Sequence, residues 1–152
     1  MTQFLLAPPV FEEMPQRRIV GLMRRYTMET RVAIPQQWAD YNATTPMPEP
    51  LPEGWFGVCR GVGSKGDFDY LCGVQGKKAE GQSEIRLSKG RWARFATSTH
   101  ISLMGAAFEE LMGHWVGQTG LIRRKGAMTE FYPPAFDGAS GYGGFELWLP
   151  VE

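Results

Sequence analysis

The residues with chemistry to offer are concentrated in the last quarter of the chain. Glu130 and Tyr132 stand two apart in Met128-Thr-Glu-Phe-Tyr132, and Glu146 and Trp148 stand two apart in Gly144-Phe-Glu-Leu-Trp-Leu-Pro-Val151. Both segments read as strands, because aromatic and branched residues alternate with others and a Pro/Gly/Ser-rich turn separates them. A spacing of two puts side chains on one side of the pleat, so each strand sets an acid beside an aromatic ring. A bare carboxylate in such surroundings must pair, accept hydrogen bonds or take up a proton. An aromatic cation could supply the missing charge, with Trp38, Tyr70, Trp92 and Tyr132 offering ring faces. The same desolvation raises a glutamate pKa and suits it to proton transfer near neutrality. The plainer alternative is a Glu130 held by Arg94 or Arg123 for structure, and the strand pattern alone favours it. Glu146 is a second pocket acid or an ordinary solvent-facing strand residue.

Other motifs carry less. Gly61-Val-Gly-Ser-Lys-Gly66 matches the dinucleotide fingerprint G-x-G-x-x-G, but that motif works only where a strand turns into a helix. A second strand follows here, so the glycines serve a hairpin loop. His100 and His114 have no partner at metal-ligand spacing and are read as non-ligands, with no metal or cofactor expected. Cys59 and Cys72 read as free buried thiols. Arg91, Arg94, Arg123, Arg124 and Lys125 read as solvated charge. Trp38 lies on a helical apolar stripe, so core packing is its first reading. Tyr70 and Trp92 fit equally well as sheet-face residues.

The 152 residues suit one domain, 1–152, with a real core. Sixteen basic and sixteen acidic residues cancel, which leaves no field to draw in nucleic acid directly. The first seven residues are too short for a signal-peptide core, and no stretch approaches the ~20 apolar residues of a membrane span. A cytoplasmic protein is expected.

The elements that must position these residues follow a repeated order. A strand centred on Arg18–Arg24 precedes a helix over Arg31–Tyr41, with Ile34, Trp38 and Tyr41 on one face. Strands Trp55–Arg60 and Phe68–Val74 complete the first half. A strand from Glu84 to Ala96, broken near Ser88-Lys-Gly90, opens the second. A helix over Ile101–Trp115 follows, capped by Thr99 or Ser102 and striped by Met104, Phe108, Leu111 and Trp115. The two tail strands complete it. The expected fold is α+β: duplicated βαββ units, about 9–76 and 82–152, related by pseudo-two-fold symmetry. A curved antiparallel sheet would carry two main helices on one side and a ligand cleft on the other.

The chain resembles the GyrI-like small-molecule-binding family, which includes gyrase-inhibitor-like proteins and effector-binding domains of AraC-type and MerR-type regulators. The carriers are Arg18-Ile-Val-Gly21, Trp55-Phe-Gly-Val58, Phe68-Asp-Tyr-Leu-Cys-Gly-Val74, Gly90-Arg-Trp-Ala-Arg-Phe95, Trp115-Val-Gly-Gln-Thr-Gly120, Thr129-Glu-Phe-Tyr132 and Glu146-Leu-Trp-Leu-Pro-Val151. The resemblance implies a central cleft whose acid falls on Glu130, with Tyr132 as its aromatic companion. It adds Trp38 by analogy, and Trp92 stands where the family often has tyrosine.

The function this implies is a stand-alone effector- or small-molecule-binding domain for amphipathic, cationic aromatic ligands, with a regulatory or drug-sequestering role. Some relatives are hydrolases of strained electrophiles, which would make Glu130 and Tyr70 catalytic. A protein-interaction module such as a gyrase modulator is the third reading. Ligand binding is thus expected of Glu130, Tyr132, Trp92, Tyr70, Trp38 and Glu146.

Overall fold

The computed structural model describes residues 4–61 and 63–152. In chain order the elements are β1 (Val10–Met14), β2 (Arg17–Tyr26), α1 (Ile34–Thr44), β3 (Trp55–Arg60), β4 (Phe68–Gln75), β5 (Ser83–Leu87), β6 (Gly90–Thr97), α2 (Met104–Glu110), β7 (Met128–Tyr132) and β8 (Phe145–Pro150). The strands form one antiparallel sheet in the order β1-β6-β8-β7-β3-β4-β2-β5.

Two short links dictate the shape of that sheet. β1 and β2 lie six strand spacings apart, yet only Pro15 and Gln16 join them; Ser88 and Lys89 alone join β5 to β6, also six spacings apart. Laid flat, six spacings would measure roughly 29 Å, whereas a link of two residues reaches only about 11 Å between its flanking Cα atoms. The sheet therefore curls until its margins approach, giving a half-barrel. One cluster confirms which side is inside, because it gathers Met14 and Leu87 from the two margins with Ile19, Trp92, Phe131 and Trp148. Trp92 donates its indole N–H to the Ser88 carbonyl at 2.9 Å, which ties this core to the β5–β6 link.

Two further clusters hold the helices. Ile34, Trp38 and Tyr41 of α1 pack with Tyr26, Tyr70 and Cys72, as their spacing of four and three predicts. Gln37, wholly buried, fastens that helix. Its amide donates to the carbonyls of Leu22 and Tyr70 at 2.8 and 3.0 Å, and its oxygen accepts from the Tyr26 hydroxyl at 2.7 Å. Ala107 and Leu111 pack with Ala93, Phe95 and Leu147.

Several local expectations are corrected. The first entry strand is preceded by a separate strand, β1, set off by Pro15, whereas the break near Ser88-Lys-Gly90 in the second is where it was expected. The cap of the second helix is His100, whose Nδ1 accepts from the Ser102 N–H, rather than Thr99 or Ser102. Phe108 is 39% exposed and Ala107 takes its place on the inner stripe, a smaller residue that lets the helix sit close to the sheet. A π-helical turn, Leu111–Val116, continues the helix. Gly61-to-Gly66 joins antiparallel β3 and β4 as expected, with positive φ at Gly61 and Gly66, although Val62 lies outside the described residues. No helix among the described residues is long and apolar enough to cross a membrane.

Candidate functional site

Strand register decides which side chains meet. Glu130 lies opposite Gly57 on β3 and Leu147 on β8. Gly57 in turn lies opposite Cys72, and Cys59 opposite Tyr70. Directly opposed residues share a face. Glu130, Tyr132, Tyr70 and Cys59 therefore project together on the face that α1 packs against, whereas residues lining a cleft were expected on the side away from the helices. That other side is the filled interior of the half-barrel.

The hydroxyls of Tyr70 and Tyr132 both donate to Glu130 Oε1, each at 2.7 Å. Trp38 donates its indole N–H to the Tyr70 oxygen at 3.0 Å and meets the Tyr132 ring edge-on at 5.5 Å. A carboxylate, two phenols and an indole thus form one hydrogen-bonded chain. Tyr70 is fully buried, Tyr132 is buried, and Glu130 and Trp38 are half-buried.

Burial pushes the Glu130 carboxyl above its ordinary value, and the two phenolic hydrogen bonds pull it only partly back. The cause is desolvation of the charged form, which outweighs two hydrogen bonds to it. Burial and the neighbouring carboxylate push both phenols well above the tyrosine range, so they stay protonated as donors. The Cys59 thiol is also pushed up by burial and by Glu130. It is held in the protonated thiol form beside the carboxylate.

Gly57 is a site residue that sequence reasoning missed. A Cβ there would sit 2.2 Å from the Tyr70 hydroxyl oxygen and 2.7 Å from Glu130 Oε1. Only glycine leaves room for the β4 phenol to cross over β3 and reach the carboxylate on β7. The signal was present, since glycine inside a strand marks close approach of another group. Gly57→Ala is expected to keep the fold, because the displaced atoms are side-chain ends, and to part Tyr70 from Glu130, weakening by about tenfold any ligand held at that carboxylate. Parallel melting curves and ligand titrations check this; unchanged affinity would remove the packing argument.

The structure does not bring Trp92 or Glu146 to this group. Trp92 and Arg94 lie opposite Pro150 and Trp148, and Glu146 lies opposite Phe131, all on the interior face. Arg94 grips Glu146 with two hydrogen bonds of 2.8 and 3.2 Å, and Trp148 donates to the same carboxylate at 2.8 Å. Arg94 is thus ion-paired, with Glu146 and Glu12, rather than free in solvent, and it is not available to Glu130. Arg124 is likewise engaged, bonding Ser88 Oγ and the carbonyls of Val151 and Arg91. Arg123 is exposed beside Val151. The arginine partner that a purely structural Glu130 would have is not among those proposed for it.

His114 stacks on Phe4 at 4.1 Å. Two surface hollows of about 410 and 480 Å³, one beside Phe11 and Trp115 and one beside Arg17 and Glu53, lie away from Glu130.

No curated protein matches the chain. Among solved structures, an integron cassette protein from the mobile metagenome of Vibrio cholerae superposes with a TM-score of 0.75 at 14% identity over 97% of each chain. SAV2435, solved bound to tetraphenylphosphonium, superposes at 0.73 with 17% identity over 96% of this chain and 94% of its own. A hydrolase from Listeria innocua superposes at 0.54 with 11% identity over 95% and 92%. At these identities the likeness establishes a shared fold. The model of the GyrI-like small molecule binding domain matches residues 7–152, nearly the whole chain, and the chain therefore belongs to that family.

Proposed function

We propose that the protein binds amphipathic, cationic aromatic small molecules at Glu130, with Tyr70, Tyr132 and Trp38 as its immediate surroundings, and that it releases them unchanged. The observation that carries this reading is the Glu130 carboxylate itself. It is half-buried, held by two neutral donors, and without a basic partner among the described residues. A cation is the natural complement of such a charge, and ring faces stabilise it further. That SAV2435 was solved with a lipophilic cation supports the same ligand class. Trp38 and Tyr132 meet edge to face, so a flat ligand would part them, and a change in tryptophan fluorescence would report entry.

The strand order supports two copies of one folding unit. Exchanging β1–β4 with β5–β8 turns the order into its own reverse. The repeated unit would then be ββαββ rather than βαββ. The role would be regulatory or sequestering, in the cytoplasm, where unpaired Cys59 and Cys72 are at home.

The test is titration with tetraphenylphosphonium and, separately, with the anion tetraphenylborate of matching shape. Saturable binding of the cation alone is expected; equal binding of both would sink the proposal. Affinity should also fall on acidification. The cation favours the ionised carboxylate, so affinity drops as pH falls through the Glu130 pKa, which lies above the ordinary 4.5. A flat affinity from pH 8 down to pH 4.5 would exclude Glu130 as the charge sensed. Hydrolysis of an electrophile by Glu130 with Tyr70 uses the same hydrogen bonds, and it displaces the binding reading if a strained cyclic ether such as styrene oxide is consumed by the parent protein and spared by Glu130→Gln.

A further inference from the structure

The two oxygens of Glu130 are not equivalent. Both phenols donate to Oε1, whereas Oε2 accepts no hydrogen bond from the described residues and is not sealed from solvent. The phenols differ too. The Tyr70 oxygen already accepts the Trp38 indole N–H while its own hydrogen points at Oε1. The Tyr132 oxygen gives its hydrogen to Oε1 and accepts nothing among the described residues. Two acceptors at the charged end therefore have no donor among the described residues, Oε2 and the Tyr132 oxygen, and the bond from Tyr132 to Oε1 keeps them in one group.

A ligand that covers this half-buried carboxylate strips water from both acceptors, and a lone pair left desolvated without a donor is costly. A quaternary cation satisfies the charge but leaves both acceptors empty. A primary ammonium or an amidinium satisfies the charge and carries at least two N–H groups. The geometry points to a site whose preferred ligands are aromatic cations bearing N–H donors, a primary ammonium or an amidinium on an apolar ring body, over quaternary cations of the same size. This rests on the cation-binding reading and narrows it.

The experiment compares 4-phenylbenzylamine with its N,N,N-trimethyl quaternary counterpart at pH 7.5, where the primary amine is protonated. Binding to the wild-type protein is measured by tryptophan fluorescence and calorimetry. The amine is expected to bind about tenfold more tightly, and the gap should shrink in Glu130→Gln. Equal affinities, or a tighter quaternary ligand, overturn the donor preference while leaving cation binding intact. Failure of both ligands to bind overturns the cation-binding reading and this inference with it. The decisive comparison uses only the wild-type chain, so no outcome depends on a variant folding.

Discussion

Glu130→Gln should weaken tetraphenylphosphonium binding by about 30-fold, or ~2 kcal/mol, in a calorimetric titration at pH 7.5. The amide preserves shape, and its oxygen can still accept from Tyr70 and Tyr132, which both donate to Oε1 in the parent. Only the charge is lost. The variant should at the same time melt no lower than the parent. Burial raises the Glu130 pKa, so whatever stability this group contributes is present below its unfolded pKa and is lost as pH rises through the higher folded one. At pH 7.5 the parent carries the cost of a desolvated charge that the variant lacks. The gap in melting temperature should therefore widen in the variant's favour between pH 4 and pH 8. A structural Glu130 predicts the opposite signs, with lost stability and unchanged affinity.

Gly73→Ala should cost about 3 kcal/mol of stability and lower the melting temperature by roughly 10 °C. Gly73 on β4 lies directly opposite Gly21 on β2. A Cβ at Gly73 would fall 1.9 Å from the Val20 carbonyl oxygen, and one at Gly21 would fall 2.1 Å from the Cys72 carbonyl oxygen. These obstacles are backbone atoms in a paired strand, which cannot swing aside as a side-chain end can. Neither glycine has a positive φ, so space rather than backbone conformation is the constraint. Gly105→Ala is the control. It is exposed in α2 with nothing near its Cβ position, and alanine there should stabilise by up to about 1 kcal/mol. Equal melting temperatures for Gly73→Ala and the parent would mean that β2 and β4 approach less closely than the register requires.

Both expectations draw on features that differ in how visible they were beforehand. Alternation placed β3 and β7 at their observed bounds and β4 and β8 within a residue at each end, because a half-buried strand repeats every two residues whatever lies beside it. The same rule put Tyr132 on the side of Glu130. Helical spacing likewise grouped Ile34, Trp38 and Tyr41. Gln37 escaped notice because a buried glutamine has no periodic signature; it is recognised only by the three partners that satisfy it.

Local pattern thus settled where the strands run, which residues flank one another along each, and that an acid and rings would be neighbours. It could not settle faces across strands. Parity says that Glu146 and Trp148 point the same way, but not whether that way is toward Glu130. Only the pairing of Phe131 with Glu146 answers that, and it puts both on the interior side. Trp92 was lost to the site for the same reason. The curl is likewise a property of the assembled sheet. Two-residue links force its margins together only once β1 and β2, or β5 and β6, lie six strands apart. Periodicity is set by each strand's own backbone, whereas face and curvature depend on which distant strand becomes its neighbour.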